Sequence, residues 1–421
     1  MKIASIQSIE SWRLRRMIRH QVLNLFKLFL GRPLTLPSLG SMTLEQDDVD
    51  ITSQWLSDRS QWNNRKVVTD YESAFAEWNG SRHAFAFMGG RVALSACIHA
   101  LGLQSGDEAI LPGYTCVVVP NAFHYAGVNT VYSDIELDTY GLDVAQLEEK
   151  ITPRTRVILL PHLYGLVCRD YEAIIALARL HNLKVIEDCA HSTGAKWCGS
   201  KVGNLGDVAF YSSEQSKVLN TIQGGMAVTN DDTLAIKLKE YYEQAAYPST
   251  ERIEQQLHNV YLNYFQQKHP SRWWRGDLAE LLYGDKLLIS TTQEEEKGRK
   301  PSDYGNKMPA PIAAIGLNQL KKIDRFNQLR CETAKHWDLW CEKHGYAKPL
   351  VVEGSEPVFL RYPVLVEAER KKNRSWAVKE LGVDIGIWFV SNIHPTNQCL
   401  LNFNNANIAV SRCINFPTLL Q

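Results

Sequence analysis

The chain has 421 residues, of which 45% are hydrophobic, and its 46 basic side chains balance its 46 acidic ones. Since a single core rarely grows beyond about 250 to 300 residues, this length predicts two domains, and the balanced charge argues against a nucleic-acid-binding protein. The nine cysteines are scattered and never form Cys-x-x-Cys, which argues against a disulfide framework or a structural zinc site and indicates a reducing cytoplasm.

Residues 1–45 are predicted to form a basic, amphipathic extension. Four arginines precede the apolar stretch QVLNLFKLFLG at residues 21–31: Arg13, Arg15, Arg16 and Arg19. Lys27 interrupts this stretch and no small-x-small cleavage site follows it, so we predict neither a signal peptide nor a membrane-spanning helix. We expect a helix that packs on the body of the protein or on a partner subunit. A weak contact of this helix with a membrane surface is the alternative.

Residues 46–240 are predicted to form a large α/β domain. From about residue 82, short β-rich runs alternate with helical stretches such as 91–101 and 171–181, a rhythm typical of a mostly parallel sheet covered by helices. The sequence predicts seven strands, at residues 84–87, 108–112, 130–134, 156–161, 184–188, 207–212 and 225–229. In such sheets ligands bind beyond the carboxyl ends of the strands.

Two charged residues in this domain indicate chemistry. Asp188 closes a very hydrophobic strand, where a carboxylate is costly to bury unless a cation meets it. A protonated pyridine nitrogen is one such cation, and a structural Arg or Lys is the alternative. Lys217 follows the strand DVAFYS in the polar turn SSEQSK. A desolvated lysine there is a Schiff-base nucleophile, whereas a solvent-facing lysine is the ordinary alternative.

Two elements near these residues are compatible with a phosphate group. Hydroxyls and backbone N–H groups of the turn after the strand offer neutral hydrogen bonds, from Ser212, Ser213 and Ser216. The Gly89-Gly90 pair opens a helix directly after the first strand, and a helix N-terminus attracts anions. A plain turn is the alternative for this pair. Neither a Walker lysine nor a complete dinucleotide fingerprint is present, so a nucleotide-binding fold is not predicted.

The remainder of the chain is predicted to hold an insertion and a second domain. Residues 241–305 include the polar, aromatic stretch SRWWRGD and the charge run EEEKGRK, and we interpret them as a helical insertion or linker with a solvated loop, not as part of a binding site. Residues 306–421 begin with a long amphipathic helix at about 312–344. Alternating strands and a helix at SWAVKELG then predict a smaller α+β domain.

From residue 71 to 417 the sequence resembles the DegT/DnrJ/StrS group of sugar aminotransferases, which are fold-type I enzymes that use pyridoxal 5′-phosphate (PLP). The stretches that carry the resemblance are GDEAILPGYT, ITPRTRVILLPHLYG, IEDCAHSTGAKWCGSKVGNLGDVAFYS and GGMAVTND. The resemblance implies that Lys217 holds PLP as a Schiff base and that Asp188 keeps its pyridine nitrogen protonated. It also implies that His191 lies near the ring.

The resemblance further implies that Ser212 and the Gly90-Arg91 turn hold the cofactor phosphate. The family usually has Gly-Thr at this turn, so Arg91 places a cation where a hydroxyl is common. We expect Arg91 to bind either the phosphate or a carboxylate of the substrate. Where the family commonly stacks an aromatic ring on the cofactor, this chain has Cys116, and Tyr114 is a candidate to supply the missing ring.

The family's cross-subunit phosphate contact is also altered. Gly305 aligns with the usual asparagine and Lys307 with the usual arginine, so we expect Asn306 to supply the contact by a shift of one residue. The resemblance implies a homodimer in which a neighbouring subunit completes each site. No metal ligand set is predicted, since neither His162 nor His394 has metal-ligand spacing; both are interpreted as structural or sugar-lining residues.

The implied reaction is transfer of an amino group from an amino acid donor, glutamate, to a keto sugar linked to a nucleotide. In that reaction the freed Lys217 is the natural general base. Arg91 and Cys116 leave open a second hypothesis, a PLP-dependent dehydration or another carbon-centred conversion of a sugar or amino acid. A third is a non-catalytic member of the fold that binds a sugar or a membrane-associated partner through its amino-terminal segment.

Overall fold

The computed structural model describes residues 39–268 and 288–419. The apolar stretch 21–31 and the motif SRWWRGD at 271–277 lie outside the described residues, so the predictions for both stay predictions. No helix in the described ranges combines the length and the hydropathy needed to cross a bilayer.

The strands, numbered in chain order, are β1 (His83–Phe87), β2 (Glu108–Pro112), β3 (Thr115–Cys116), β4 (Asn129–Ser133), β5 (Thr155–Pro161), β6 (Lys184–Asp188), β7 (Lys196–Trp197), β8 (Ser200–Lys201), β9 (Val208–Ser212), β10 (Gly225–Thr229), β11 (Ser355–Glu356), β12 (Tyr362–Leu365), β13 (Ile393–His394) and β14 (Cys413–Phe416). The strands predicted at 108–112, 184–188 and 225–229 coincide with β2, β6 and β10. The other four predicted strands differ by one residue at one or both ends.

The helices are α1 (Gln46–Ser57), α2 (Arg65–Asn79), α3 (Gly90–Ala100), α4 (Val118–Tyr125), α5 (Val144–Glu148), α6 (Tyr171–Leu180), α7 (Asp232–Gln244), α8 (Thr250–Lys268), α9 (Gln293–Glu296), α10 (Ala310–His344), α11 (Ala368–Lys372), α12 (Ser375–Leu381) and α13 (Asn404–Arg412). Two short 3₁₀ turns lie at Arg59–Gln61 and Leu163–Gly165.

A seven-stranded sheet in the order β1-β10-β9-β6-β5-β2-β4 forms the centre of the fold. β10 pairs antiparallel with both of its neighbours, and the remaining adjacent pairs are parallel. The predicted fold class, an α/β protein of fold type I with a mostly parallel seven-stranded sheet, is confirmed. The strands could be recognised from sequence because parallel strands covered on both faces are nearly continuous apolar runs.

Helices cover both faces of the sheet, and alternate side chains of β5 pack into two different hydrophobic cores. Its residues Ile158 and Leu160 pack into a core that includes residues of α2, α6 and the start of α10. The alternate residues Val157 and Leu159 pack into a second core with α3, α4 and α7. Because successive side chains of a strand point to opposite faces, the polar residues that close the strands are left at the edge of the sheet.

The long helix α10 joins the sheet to a third core. Its start contributes Ile312 to the first core, while Trp337, near its other end, stacks on Phe416 of β14 with ring centroids 4.3 Å apart. The helix ends at Gly345, whose φ of 73° suits a residue without a Cβ atom. The same helix thus packs against the sheet and against the core of the carboxyl-terminal part of the chain. The domain boundaries at 45/46, 240/241 and 305/306 remain predictions.

A short parallel pairing brings the carboxyl-terminal part of the chain to the ends of the sheet strands. Ile393 and His394 of β13 pair with Thr115 and Cys116 of β3. Asn392 supports this junction, since its backbone carbonyl accepts a hydrogen bond of 2.9 Å from the N–H of Thr115. Residues 387–394 are therefore held beside the segment that follows β2.

Candidate active site

A cavity of about 890 Å³ lies beyond the carboxyl ends of β5, β6 and β9. The structure brings together at this cavity eight of the residues that the sequence and the family resemblance single out: Gly90, Arg91, Cys116, Asp188, His191, Ser212, Lys217 and Asn306. A volume of this size is in the range of small-molecule sites. Asp188 and Lys217, far apart in sequence, face the same space.

Asp188 is the last residue of β6 and lacks a fixed cationic partner. Its Oδ1 accepts a hydrogen bond of 3.0 Å from the backbone N–H of Ala190. Burial raises the pKa of Asp188 to about 6, and the Ala190 hydrogen bond and the charge of Lys217 only partly oppose this rise. No arginine or lysine among residues 39–268 and 288–419 forms an ion pair with it. A cation inside the cavity would therefore be strongly favoured.

The adjacent Glu187 points away from the cavity and stabilises the layer beneath it. It accepts hydrogen bonds from the ring of His162, the hydroxyl of Tyr171 and the backbone N–H groups of Gly203, Leu205 and Gly206. The other ring nitrogen of His162 accepts from the N–H of Cys168 at 3.2 Å. Both ring nitrogens of His162 are thus paired within the protein, while His162 also lines the cavity, so its role as a structural or a sugar-lining residue stays a prediction. Its hydrogen bond to Glu187 accounts for the closeness of these two side chains.

Lys217 lies in the turn after β9, which its own backbone helps to close. Its N–H donates a hydrogen bond of 2.8 Å to the carbonyl of Glu214. Its Nζ lies 4.6 Å from the ring centroid of Trp388. Burial lowers the pKa of Lys217, and the charges of Glu214, Cys116 and Asp188 offset this only in part. A lowered pKa increases the fraction of neutral amine, which is the nucleophilic form.

His191 contacts the cavity as a neutral imidazole. Its Nδ1 accepts a hydrogen bond of 3.2 Å from the backbone N–H of Tyr164, which leaves the ring proton on Nε2. Burial lowers its pKa well below the ordinary value, and the nearby charges of Lys217 and Arg361 lower it further. Its ring meets Trp388 edge to face, with centroids 4.6 Å apart.

Trp388 is a functional candidate that sequence reasoning missed. It comes from the carboxyl-terminal part of the chain, in a segment without a recognisable motif, and no sequence signal connects it with Lys217. The expectation that Tyr114 supplies the missing ring is wrong. Tyr114 is 2% exposed, and its hydroxyl hydrogen bonds with that of Tyr164 at 2.9 Å below the cavity. Trp388 lines the cavity together with Cys116, and its ring lies beside Nζ of Lys217.

The turn before α3 forms a cradle for an anion. Gly89 precedes the helix without a side-chain cap, so the first N–H groups of α3 are available to a ligand. A Cβ atom at Gly90 would lie 2.9 Å from Cβ of Ser212, and one at Gly225 would lie 2.5 Å from the backbone of Gly89 and Gly90. Glycine at these positions lets three segments meet with the Ser212 hydroxyl beside the turn.

We expect Gly225→Ala to destabilise the protein by about 1–3 kcal/mol, because the added methyl group would overlap backbone atoms that cannot rotate away. Urea unfolding, followed by circular dichroism, measures this change. Gly305→Ala is the matched control, since no atom lies within 4 Å of a Cβ atom built there, and its effect should stay within about 0.5 kcal/mol. Equal stability of the two variants would contradict the close approach described for Gly225.

Arg91 lies at the same turn but is already paired. It forms an ion pair with Glu295, and a second guanidinium nitrogen donates to the backbone carbonyl of Ser290. Burial lowers the pKa of Arg91, and the neighbouring Glu295 more than reverses this effect, so that the net pKa is raised. The guanidinium is therefore charged, with a buried carboxylate beside it.

The prediction that residues 241–305 take no part in a binding site is wrong for the part that the structure describes. Arg252, Gln255 and Asn263 of α8 line the cavity, as do residues 288–292, 295, 301, 303 and 304. The composition of this stretch is polar, and polar residues are ordinarily solvated. Here they are folded over a polar cavity, which sequence composition alone does not reveal.

Asn306 lines the cavity, and its backbone carbonyl accepts a hydrogen bond of 3.0 Å from the N–H of Met88. Lys307 lies aside, with Nζ 5.1 Å from the ring centroid of Tyr242. His394 also lines the cavity, and burial together with the charge of Lys217 lowers its pKa to about 4. The contribution of Asn306 to a neighbouring subunit stays a prediction.

These residues fit PLP. The Gly89-Gly90 turn and Ser212 suit the phosphate group, Asp188 offers a carboxylate that still needs a cation, and Lys217 offers an amine of lowered pKa. Trp388 and His191 provide ring surfaces between these groups. The neutral donors at the phosphate turn and the single buried carboxylate match a ligand that is anionic at one end and carries a protonated nitrogen at the other.

Comparison with known proteins agrees with this chemistry. Residues 45–420 match the DegT/DnrJ/EryC1/StrS aminotransferase family. GDP-perosamine synthase from Caulobacter vibrioides is 42% identical over 332 residues, which are 78% of this chain and 77% of that protein. UDP-2-acetamido-2-deoxy-3-oxo-D-glucuronate aminotransferase from Pseudomonas aeruginosa is 38% identical over 196 residues, 46% of this chain and 54% of that protein.

The fold is shared with NtdA from Bacillus subtilis, solved with bound cofactor PMP. The TM-score is 0.69 at 22% sequence identity, and the match covers 91% of this chain and 80% of that one. The family match extends from α1 to the last described strand and includes every candidate site residue that the sequence predicted. The chain therefore belongs to the DegT/DnrJ/EryC1/StrS aminotransferase family and is a PLP-dependent aminotransferase.

Proposed function

We propose that this enzyme transfers an amino group from an amino acid, glutamate, to a keto sugar linked to a nucleotide. The observation that carries the proposal is that the Lys217 amine and the Asp188 carboxylate line one cavity with a phosphate cradle. The acceptor class is supported by the names of the two relatives, one a synthase of a GDP-linked sugar amine and the other an aminotransferase named for a UDP-linked 3-oxo sugar.

When bound, PLP supplies an electron sink that stabilises negative charge at the carbon bearing the amine. The protein residues control charge and protons around it. Asp188 places a negative charge at the end of β6, which favours a protonated nitrogen opposite it. Nζ of Lys217, when neutral, accepts a proton from the substrate carbon and returns it. His191, neutral with its proton on Nε2, is a hydrogen-bond donor rather than a second charge.

The cavity wall contributed by the insertion suits a polar acceptor. Arg252 donates a hydrogen bond of 2.6 Å to the side chain of Gln223, and Asn263 donates one of 2.8 Å to Gln215. The further N–H groups of such amide and guanidinium side chains can donate to the hydroxyls of a sugar, whereas an apolar substrate offers them no acceptor. A sugar is thus favoured over a hydrophobic amino acid as the acceptor.

Glutamate added to the purified holoprotein should convert the absorbance of the PLP form to that of the pyridoxamine form, and 2-oxoglutarate should reverse the change. A protein that stays in the PLP form with both glutamate and glutamine would contradict amino transfer from these donors. GDP-, UDP- and dTDP-linked keto hexoses, added to the pyridoxamine form, then identify the acceptor by the mass of the amino sugar produced.

We also propose that the enzyme is a cytoplasmic homodimer with shared sites. All nine cysteines are free, which is compatible with a reducing compartment, and the family resemblance supports the dimer. Analytical ultracentrifugation of the full chain tests the assembly. A monomer at micromolar concentration would contradict it.

A further inference from the structure

The segment of residues 288–304, here called the covering segment, crosses one side of the cavity with few buried residues of its own. Leu288, Glu295 and Tyr304 are buried, at 6%, 1% and 5% exposure. The other residues of this segment are partly or fully exposed. The position of the covering segment therefore depends on polar contacts with the surrounding elements rather than on an apolar core of its own. Among these contacts are hydrogen bonds of 2.8 Å from the Ser290 hydroxyl to Glu214 and from the Tyr125 hydroxyl to the carbonyl of Arg299.

Three of these contacts converge on one residue, Arg91. Its guanidinium pairs with the Glu295 carboxylate and donates to the Ser290 carbonyl. Its backbone carbonyl accepts a hydrogen bond of 3.0 Å from the hydroxyl of Tyr304, which also contacts the hydroxyl of Ser95 at 3.0 Å. The first turn of α3 is thus a place where three contacts attach the covering segment to the rest of the protein.

Glu295 is fixed from its own side as well. Its Oε2 accepts from the backbone N–H of Thr292 at 2.8 Å and from the Thr292 hydroxyl at 3.0 Å, and together they form a capping box at the start of α9. Its backbone carbonyl accepts a hydrogen bond of 2.7 Å from the side chain of Asn121. The Glu295 carboxylate is therefore held in position by the protein alone, without a ligand.

The ion pair between Arg91 and Glu295 affects whether Arg91 can bind a phosphate group. A cofactor phosphate at the turn would have to compete with a buried carboxylate for the guanidinium, and would face the negative charge of that carboxylate at short range. The backbone N–H groups of α3 and the Ser212 hydroxyl carry no such cost. The Arg91 and Glu295 charges cancel, so the pair offers little net attraction to the phosphate.

We propose that Arg91 is a positioning residue that fixes the covering segment over the cavity through Glu295, rather than a ligand of the cofactor phosphate or of a substrate carboxylate. In the proposed function, on which this part of the inference rests, the covering segment is then one wall of the acceptor site. Arg91 and Glu295 would act as a unit, and loss of either should have the same consequence.

The experiment compares Arg91→Met, Glu295→Gln and the double variant. Glutamine retains the capping box with Thr292, so Glu295→Gln removes the charge and leaves the helix start intact. The exposed ion pair Arg82–Asp232, at 2.7 Å, provides control variants Arg82→Met and Asp232→Asn away from the cavity. Two quantities are measured: hydrogen–deuterium exchange of residues 288–304 in the holoprotein, and the Kd and rate constants of PLP with the apoprotein.

We expect both single variants to increase amide exchange in the covering segment by about tenfold, and the double variant to add nothing further, because one interaction is lost in each case. PLP should enter and leave faster, with a Kd within about twofold of the wild-type value, since both rates change together. The control variants should leave all of these quantities unchanged.

A rise in the PLP Kd of tenfold or more in Arg91→Met, without a similar rise in Glu295→Gln, would overturn the proposal and assign Arg91 to the phosphate. Additive effects of the two substitutions on exchange would also overturn it. If Arg91→Met does not fold, Glu295→Gln alone tests the proposal. Unchanged amide exchange of residues 288–304 in Glu295→Gln would show that the ion pair does not hold the covering segment. None of these measurements uses an acceptor, so an error in the proposed function would not alter them.

Discussion

Replacing Lys217 by alanine is expected to lower the rate of amino transfer by about 100- to 10,000-fold or more, the range that one positioned acid–base group contributes. The lysine is the cavity's amine of lowered pKa, and nothing in the described residues duplicates it: His191 and His394 have lowered pKa values that leave them weak bases. Stopped-flow absorbance with glutamate measures the rate of the first half of the reaction.

The same variant tests the covalent role of the lysine. Borohydride treatment of the wild-type holoprotein should fix the cofactor to a peptide containing Lys217, detectable by mass spectrometry, and the variant should show no such label. Lys196→Ala is the control, because Lys196 forms an exposed ion pair with Glu356 at 2.9 Å, away from the cavity. A borohydride-stable label that persists in Lys217→Ala would refute the assignment of this residue.

Asp188→Asn should reduce the rate of amino transfer by at least about 100-fold, the effect of removing one preorganised electrostatic partner in a site of low dielectric. Asparagine keeps the size and the hydrogen bond from Ala190 but removes the charge that favours a protonated pyridine nitrogen. Asp207→Asn is the control, since Asp207 pairs with Lys184 at 2.7 Å on the protein surface. Near wild-type activity in Asp188→Asn would contradict the role of the carboxylate.

Although Asp188→Asn should lower activity, its apoprotein should be more stable to unfolding than the wild-type apoprotein. The folded-state pKa of Asp188 is raised to about 6 from an ordinary value of 3.8, so between these pH values the folded protein binds more protons than the unfolded chain. Stability of the wild-type apoprotein therefore falls as pH rises through this interval and stays low above it.

At pH 8 the ionised carboxylate costs up to about 3 kcal/mol, since one pKa unit corresponds to about 1.4 kcal/mol, and the asparagine variant avoids this cost. Urea unfolding of both apoproteins at pH 8 and at pH 4 measures the difference, which should be present at the higher pH and vanish at the lower one. Saturation with PLP should reduce the advantage of the variant at pH 8, because the cofactor supplies the missing cation.

The sheet was predictable because its strands are apolar on both faces. The run RVILLP buries every residue but Arg156, and KVIED buries its three central residues. Such apolar runs can be recognised from the sequence without knowledge of strand register or sheet twist. Asp188 and Lys217 were recognisable for a related reason. Each is a charged residue at the end of a buried strand or in the turn after one, and parallel strands bring such ends to the same edge.

The sequence by itself thus determined the fold class, and its family resemblance predicted the cofactor and the site residues at the strand ends. The tertiary structure decided which distant residues complete the cavity: Trp388 beside Lys217, and Glu295 beside Arg91. These pairings join segments separated by long stretches of chain and carry no local periodicity, because they depend on how helices and loops pack rather than on the properties of neighbouring residues. For the same reason a polar insertion that sequence composition assigns to solvent forms a wall of the active site.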